Sequence, residues 1–147
     1  MPERGFSEAE FAARTAKAQL QMATQGVSGL LLLTEPEVRY FSGFQKLFWQ
    51  SPTRPWFLFV PAEGKPIAII PEIGADLMRR TWIDDIPTWR APAPDVDGIS
   101  LLTELLSPYA ARGETIGVMK GHETALRMPL GDYERLMAGL TGLEITD

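Results

Sequence analysis

The sequence predicts an α/β fold, with a mixed sheet of about six strands flanked by helices. Three observations carry that prediction. Short apolar runs of strand length recur along the chain, and stretches of helical periodicity separate them. One pair of runs is joined by a connector of pure turn composition, which makes the sheet mixed rather than wholly parallel. With 147 residues, 45% of them hydrophobic, the chain is long enough for one domain with a substantial core and too short for two ordinary ones.

The first element is a helix over residues 7–25. Ser7 and Glu10 have the S-x-x-E spacing of a capping box, Phe6 and Phe11 take the two positions of a hydrophobic staple, and Gly26 supplies the stop. Ala13, Ala16, Leu20 and Ala23 fall on one face, whose small side chains suit close approach to a sheet. Gly29 to Leu33 is a buried strand, and Thr34 with Glu37 repeats the capping-box spacing around Pro36, predicting a single helical turn that ends near Tyr40 to Gly43. Trp56 to Val60 and Ile67 to Ile70 are strands joined by PAEGKP, a hairpin.

From Glu72 to about Trp82 the pattern is helical, with Leu77 and Met78 inward, and Asp84 to Trp89 is a short strand. The A-P-A-P run at 91–94 is an extended surface connector. Asp97 caps a helix carrying Ile99, Leu102, Leu105 and Leu106, which Pro108 ends or kinks. Ile116 to Met119 is a strand, Pro129 to Leu140 a helix with Tyr133, Leu136, Met137 and Leu140 on its apolar face, and Leu143 to Ile145 a final edge strand. A chain stopping on an edge strand without a tail is expected of a domain that belongs to something longer.

Composition narrows the function classes. A net charge of -5 argues against a nucleic-acid partner, because binding a phosphate backbone needs clustered Lys and Arg. There is no cysteine, hence no disulfide frame, thiolate metal site or cysteine nucleophile. The N-terminus has no apolar signal region and no segment is apolar for long enough to span a bilayer, so no membrane partner and a cytoplasmic location are expected.

Catalytic constellations are missing. The single histidine, His122, cannot build a histidine metal site alone and reads as a surface loop residue. Asp84 with Asp85, and Asp95 with Asp97, lie in turn-like segments and read as caps and turn formers. No serine stands in a G-x-S-x-G elbow, and neither phosphate-binding glycine motif occurs. The chain's own residues therefore predict no catalytic or metal site and no cofactor.

What stands out is the stretch between the first two strands, where Tyr40, Phe41, Phe44, Phe48 and Trp49 surround one arginine, Arg54, just before Trp56. It is too apolar to be left in water. Tyr40, Phe41 and Phe44 read as core under the first strand, while Phe48, Trp49 and Trp56 each read about equally as core or as contact residues. Trp82 and Trp89 read as core or interface. Arg127 either caps a carbonyl or pairs with an acid, and the structural salt bridge is the favoured reading.

An amphipathic helix, GLLLLTEPEVRYFSGF, TRPWFLFVP, GKPIAIIPE, MRRTW, TIGVMKGHETALRMP and a closing GLEITD follow in an order that resembles the N-terminal domain of the creatinase, prolidase and aminopeptidase P family. The pieces resembling P-x-x-x-Y-x-x-G-F at Pro36 to Phe44 and E-T-x-L-R-M-P at Glu123 to Pro129 are the most specific. The resemblance implies that residues 1–147 form one ribonuclease-H-like domain. A C-terminal pita-bread catalytic domain with two divalent metal ions, absent from this chain, would be its covalent partner. It implies dimer or tetramer contacts, in several members with this domain shaping the entrance to the partner subunit's active site, and a homodimer is the expectation here. In creatinase-like members an arginine just before the strand-opening proline binds the substrate carboxylate of the neighbouring subunit; the T-R-P here puts Arg54 at that position, with Trp49 and Trp56 as accompanying candidates.

The family's phenylalanine two residues earlier is Pro52 here, which points away from creatine and toward a peptide or another amino-acid-like carboxylate. The other reading of Arg54 is a solvated side chain beside Glu63 or another surface acid. A ribonuclease-like nuclease is excluded by the first strand, GLLLL, which offers no acid for Mg²⁺. A free-standing small-molecule-binding domain, its pocket in the aromatic loop, stays open as the alternative.

Overall fold

A computed structural model describes residues 5–51, 54–93 and 98–147, with only the backbone of residues 47–48. Local chemistry sets where the elements begin. Helix α1 (Glu8–Gln25) opens where Ser7 Oγ accepts the Glu10 amide at 3.3 Å, with the Phe6 and Phe11 rings edge to face at 6.1 Å. It stops at Gly26, whose φ of 68° lets its amide turn back to the Met22 carbonyl. After strand β1 (Gly29–Leu32), helix α2 (Glu35–Ser42) opens where both the amide and the hydroxyl of Thr34 donate to the Glu37 carboxylate.

A 3₁₀ turn (Leu47–Gln50) leads to β2 (Phe57–Pro61), which forms an antiparallel hairpin with β3 (Ile67–Pro71). The one-turn α3 (Ala75–Met78), the two-residue β4 (Thr88–Trp89), α4 (Ile99–Ala111), β5 (Thr115–Val118), α5 (Leu130–Gly139) and β6 (Glu144–Thr146) follow. The six-stranded sheet has the order β4-β3-β2-β1-β5-β6. β2 is antiparallel to β1 and β3, while β5 runs parallel to β1, β6 to β5 and β4 to β3, so the sheet is mixed as predicted.

Alternation along the strands loads both faces with apolar side chains. On one face Leu31, Phe57, Phe59, Ile69, Ile116 and Val118 meet Leu102 and Leu106 of α4 and Leu136 of α5. On the other, Leu32, Leu58, Val60, Ala68 and Ile70 meet Phe11 of α1, Val38 and Phe41 of α2 and Met78 of α3. The result is three layers around a two-sided core. At Gly29 a Cβ would lie 2.3 Å from the Phe59 ring, so the missing side chain lets that ring cross β1. Among the described residues no helix is long and apolar enough to cross a membrane.

The structure corrects several local expectations. The face of α1 turned to the core carries Phe11, Thr15 and Met22, whereas Ala13, Ala16, Leu20 and Ala23 face away and Leu20 is 68% exposed. The staple turns Phe11 inward, and the residues one and three turns on follow it; Phe and Met bury far more area than alanines. Gln19 fixes this rotation by donating to the carbonyls of Pro61 at 3.0 Å and Gly64 at 2.9 Å. Helix α2 has two turns rather than one.

The expected helix over 72–82 is a 3₁₀ turn (Glu72–Gly74) followed by α3, because the Thr81 hydroxyl takes the Met78 carbonyl at 2.7 Å and competes with helix continuation. The strand expected from Asp84 contracts to Thr88–Trp89 plus an isolated bridge at Asp85, since Pro87 has no amide to give. Helix α4 runs through Pro108 to Ala111; the proline sits in the last turn, where one amide is lost and the Ser107 hydroxyl returns to the Thr103 carbonyl at 2.6 Å. The Asp97 cap, and Pro94 of the proline run, lie outside the described residues.

The rotation of α1 is testable by urea unfolding of two variants. Met22→Ala is expected to lose about 2–5 kcal/mol through the cavity it leaves. Leu20→Ala should stay within about 0.5 kcal/mol of the parent. The reverse ranking would return the alanine face to the sheet.

Candidate functional site

The aromatic loop sits at one edge of the sheet because the strand directions put it there. β1 ends opposite the start of β2, with Leu32 across from Leu58, and β5 ends beside β1, with Val118 across from Leu31. The segment entering β2 and the segment leaving β5 therefore share that edge. Ser42 Oγ donates to the Val38 carbonyl at 2.5 Å and accepts the Phe44 amide at 3.0 Å, so the chain turns at Gly43 (φ 72°) and drives Phe44 into the core.

The structure separates the aromatic side chains that composition grouped together. Trp56, a candidate contact residue, is 1% exposed: its ring lies 5.6 Å from Phe44 and 5.9 Å from Trp49, and a Cβ on Gly74 would fall 2.4 Å from it. It is a core residue. Trp49 is half-buried on the outer side of this stack, and the Phe48 side chain lies outside the described residues. Phe41 is buried, and its carbonyl accepts the Trp82 indole N–H at 2.7 Å. Tyr40, expected in the core, is instead exposed, and with Phe6 and Phe11 it surrounds the Arg14 guanidinium, at 4.8, 4.2 and 5.2 Å from the ring centres. Trp82 and Trp89 are core.

Arg54 is half-buried at the start of the β2 approach. Its Nε is buried and has no hydrogen-bond acceptor among the described residues, and the Trp49 indole N–H is in the same state. Such donors cost free energy until an acceptor arrives. Glu63 is not its partner, because Glu63 lies in the turn beyond the far end of β2, and Arg54 makes no ion pair among the described residues. What a planar guanidinium with open donors does chemically is bind a carboxylate in bidentate fashion.

Arg127 takes the carbonyl-capping role rather than the salt bridge. Its Nη1 donates to the Arg54 carbonyl at 2.7 Å, its Nη2 donates to the Ser51 carbonyl, and its guanidinium lies 5.2 Å from the centre of the Trp49 ring. Burial lowers its pKa from the ordinary guanidinium value. Pattern reading missed that Arg127 and Arg54 meet across the sheet edge; the available signal was an arginine set between Leu126 and Met128, where a solvated side chain is out of place.

Beside this contact a groove of about 430 Å³ is lined by Val118, Lys120, Leu126, Met128, Leu130 and Tyr133, and Leu130 is 71% exposed. His122 is exposed, and Asp84 pairs with Lys65 at 2.8 Å. Among the described residues no three His, Asp or Glu side chains converge on a metal-sized site.

The family model of the Creatinase/Prolidase N-terminal domain matches residues 14–147. Among solved structures, a prolidase from Thermococcus sibiricus superposes with a TM-score of 0.74 at 18% identity, covering 97% of this chain and 35% of that one. A dipeptidase from Mycobacterium ulcerans gives 0.66 at 20% identity, with 95% and 35% covered. The Creatinase/Prolidase N-terminal domain of an X-Pro dipeptidase from Streptococcus pyogenes gives 0.66 at 14% identity, with 91% and 92% covered. This chain thus spans about a third of the first two proteins and nearly all of the third. No curated protein matches it. The matched family and the mixed sheet with helices on both faces agree: the chain belongs to the creatinase/prolidase N-terminal domain family.

Proposed function

We propose that this chain serves as the non-catalytic N-terminal domain of a dinuclear-metal hydrolase of the Xaa-Pro peptidase or creatinase kind. In that role it holds subunits together and shapes the entrance to the partner subunit's active site. The observation that carries the reading is the half-buried Arg54, with an Nε that has no acceptor among the described residues, on a loop tied down from both ends. A cation held this way at a domain surface suits a carboxylate supplied from outside, and its fork gives two parallel charge-assisted hydrogen bonds that a lysine cannot. The substrate class is a peptide or another amino-acid-like carboxylate. The two divalent metal ions and the water they activate belong to the catalytic domain in this scheme.

Self-association draws on apolar surface that flanks the loop. Ile73, next to the glycine that receives Trp56, is 62% exposed on one side, and Leu130 projects beside the Arg127 groove on the other. Such paired exposed aliphatics suit a two-fold interface. A small-molecule-binding domain is the second reading, favoured by the open cleft of about 310 Å³ at Phe6, Phe11, Arg14 and Tyr40 rather than by the aromatic loop.

Two experiments test the first reading. Sedimentation of the 147-residue chain should give a dimer that Leu130→Glu weakens; a monomer at high concentration would remove the proposed interface. In a protein that carries this domain ahead of its catalytic domain, Arg54→Ala should cost about 2 to 4 kcal/mol in kcat/KM, and Arg54→Lys should recover only part of it. Unchanged kinetics in both, with fold and oligomer intact, would leave Arg54 as surface charge.

A further inference from the structure

We infer that Arg127 is a positioning residue that fixes the main chain at Ser51 and at Arg54 and, through it, the direction in which Arg54 points. The inference rests on the reading of Arg54 as a carboxylate ligand, and it concerns a residue 73 positions away in sequence. One guanidinium holds the main chain at two points, donating to the carbonyl of Ser51 and to that of Arg54 itself. Two donors from one rigid plane fix these two carbonyls relative to each other, where a single hydrogen bond would leave a hinge.

The same plane lies over Trp49, at 5.2 Å from the ring centre, so the 3₁₀ turn that precedes Ser51 is held by the same side chain. Trp49 in turn leans on Trp56 at 5.9 Å, and Trp56 is seated against Gly74. Arg127 therefore joins the β5–α5 connection to the loop and, through Trp49, to the core beneath it.

Two features mark this as more than a surface contact. The guanidinium gives up part of its hydration to sit there, a burial that lowers its pKa, and its hydrogen bonds to Arg54 and Ser51 go to neutral main-chain oxygens rather than to a carboxylate. A carboxylate partner would have cancelled its charge; carbonyls leave a net positive field close to Arg54. That field favours an anion at Arg54, and among the described residues no acid pairs with it.

Hydrogen exchange on the 147-residue chain, read by mass spectrometry over residues 49–57, tests the positioning directly. Arg127→Met should raise exchange in that segment by about tenfold or more, Arg127→Lys should give an intermediate rise, and β1 and β5 should keep their protection. An unchanged segment, or a uniform rise that includes β1 and β5 in both variants, would overturn the inference. If the Met variant does not fold, the Lys variant alone carries the measurement with the same criteria.

The route through Arg54 is read in a protein with its catalytic domain. Arg127→Met should lower kcat/KM about tenfold, mainly through KM, and add nothing to Arg54→Ala. Equal losses in both backgrounds would overturn the inference. A kinetically silent Arg54→Ala, with loop exchange still raised by Arg127→Met, would sink the functional reading of Arg54 and leave the clamp standing.

Discussion

The burial of β2 on both faces is the constraint from which the remaining architecture follows. From Trp56 through Val60 every side chain is at most 1% exposed, so neither face of the strand can meet water. Each of these large apolar side chains is worth about 1.5–3 kcal/mol when fully buried, and that gain is available only if separate layers cover the two faces. Strands on both edges must also take up the backbone of β2, because buried amides and carbonyls need partners; β1 and β3 do so. Helices α1 to α3 then close one face and α4 with α5 the other, and the chain order follows from supplying those covers.

Central burial explains the position of the loop as well. A strand with no polar residue cannot present chemistry along its length, so the exposed groups are pushed to its ends. At the end where β2 begins, β1 and β5 both terminate, which brings the connection after β5 against the connection before β2. Phe44 and Trp56 fill the space beneath, Gly74 makes room for the larger ring, and Arg127 secures the top. Packing from below and the Arg127 hydrogen bonds from above thus converge on the approach to β2. Among the described residues the Arg54 Nε is left without an acceptor at that edge.

Local sequence signals worked where the interaction is itself local. The cap at Ser7, the staple of Phe6 and Phe11, the box at Thr34 and the stop at Gly26 each involve residues within five positions of one another and form where the spacing predicts, although at Ser7 only the Ser7 half of the box is made and Glu10 turns to Arg14. The hairpin and the mixed sheet were legible for the same reason. Where an outcome depended on distant competition, pattern reading went astray. The alanine stripe of α1 is as regular as the true inner face, yet Phe11 and Met22 bury more area and Gln19 finds carbonyls on the hairpin.

By itself, then, the sequence determined the fold class and the order of elements, which rest on periodicity and local capping, while the family and the candidacy of Arg54 came from the resemblance that its motif order carries. Tertiary structure alone decided which aromatics are core and which are surface: Trp56 is sealed because Gly74 leaves a space for its ring, and Tyr40 is exposed because α2 turns it toward Arg14. It also decided the role of Arg127. Whether an arginine meets an acid or a carbonyl depends on which strand ends share an edge, and strand order is a property of the whole sheet that no stretch of the chain carries on its own.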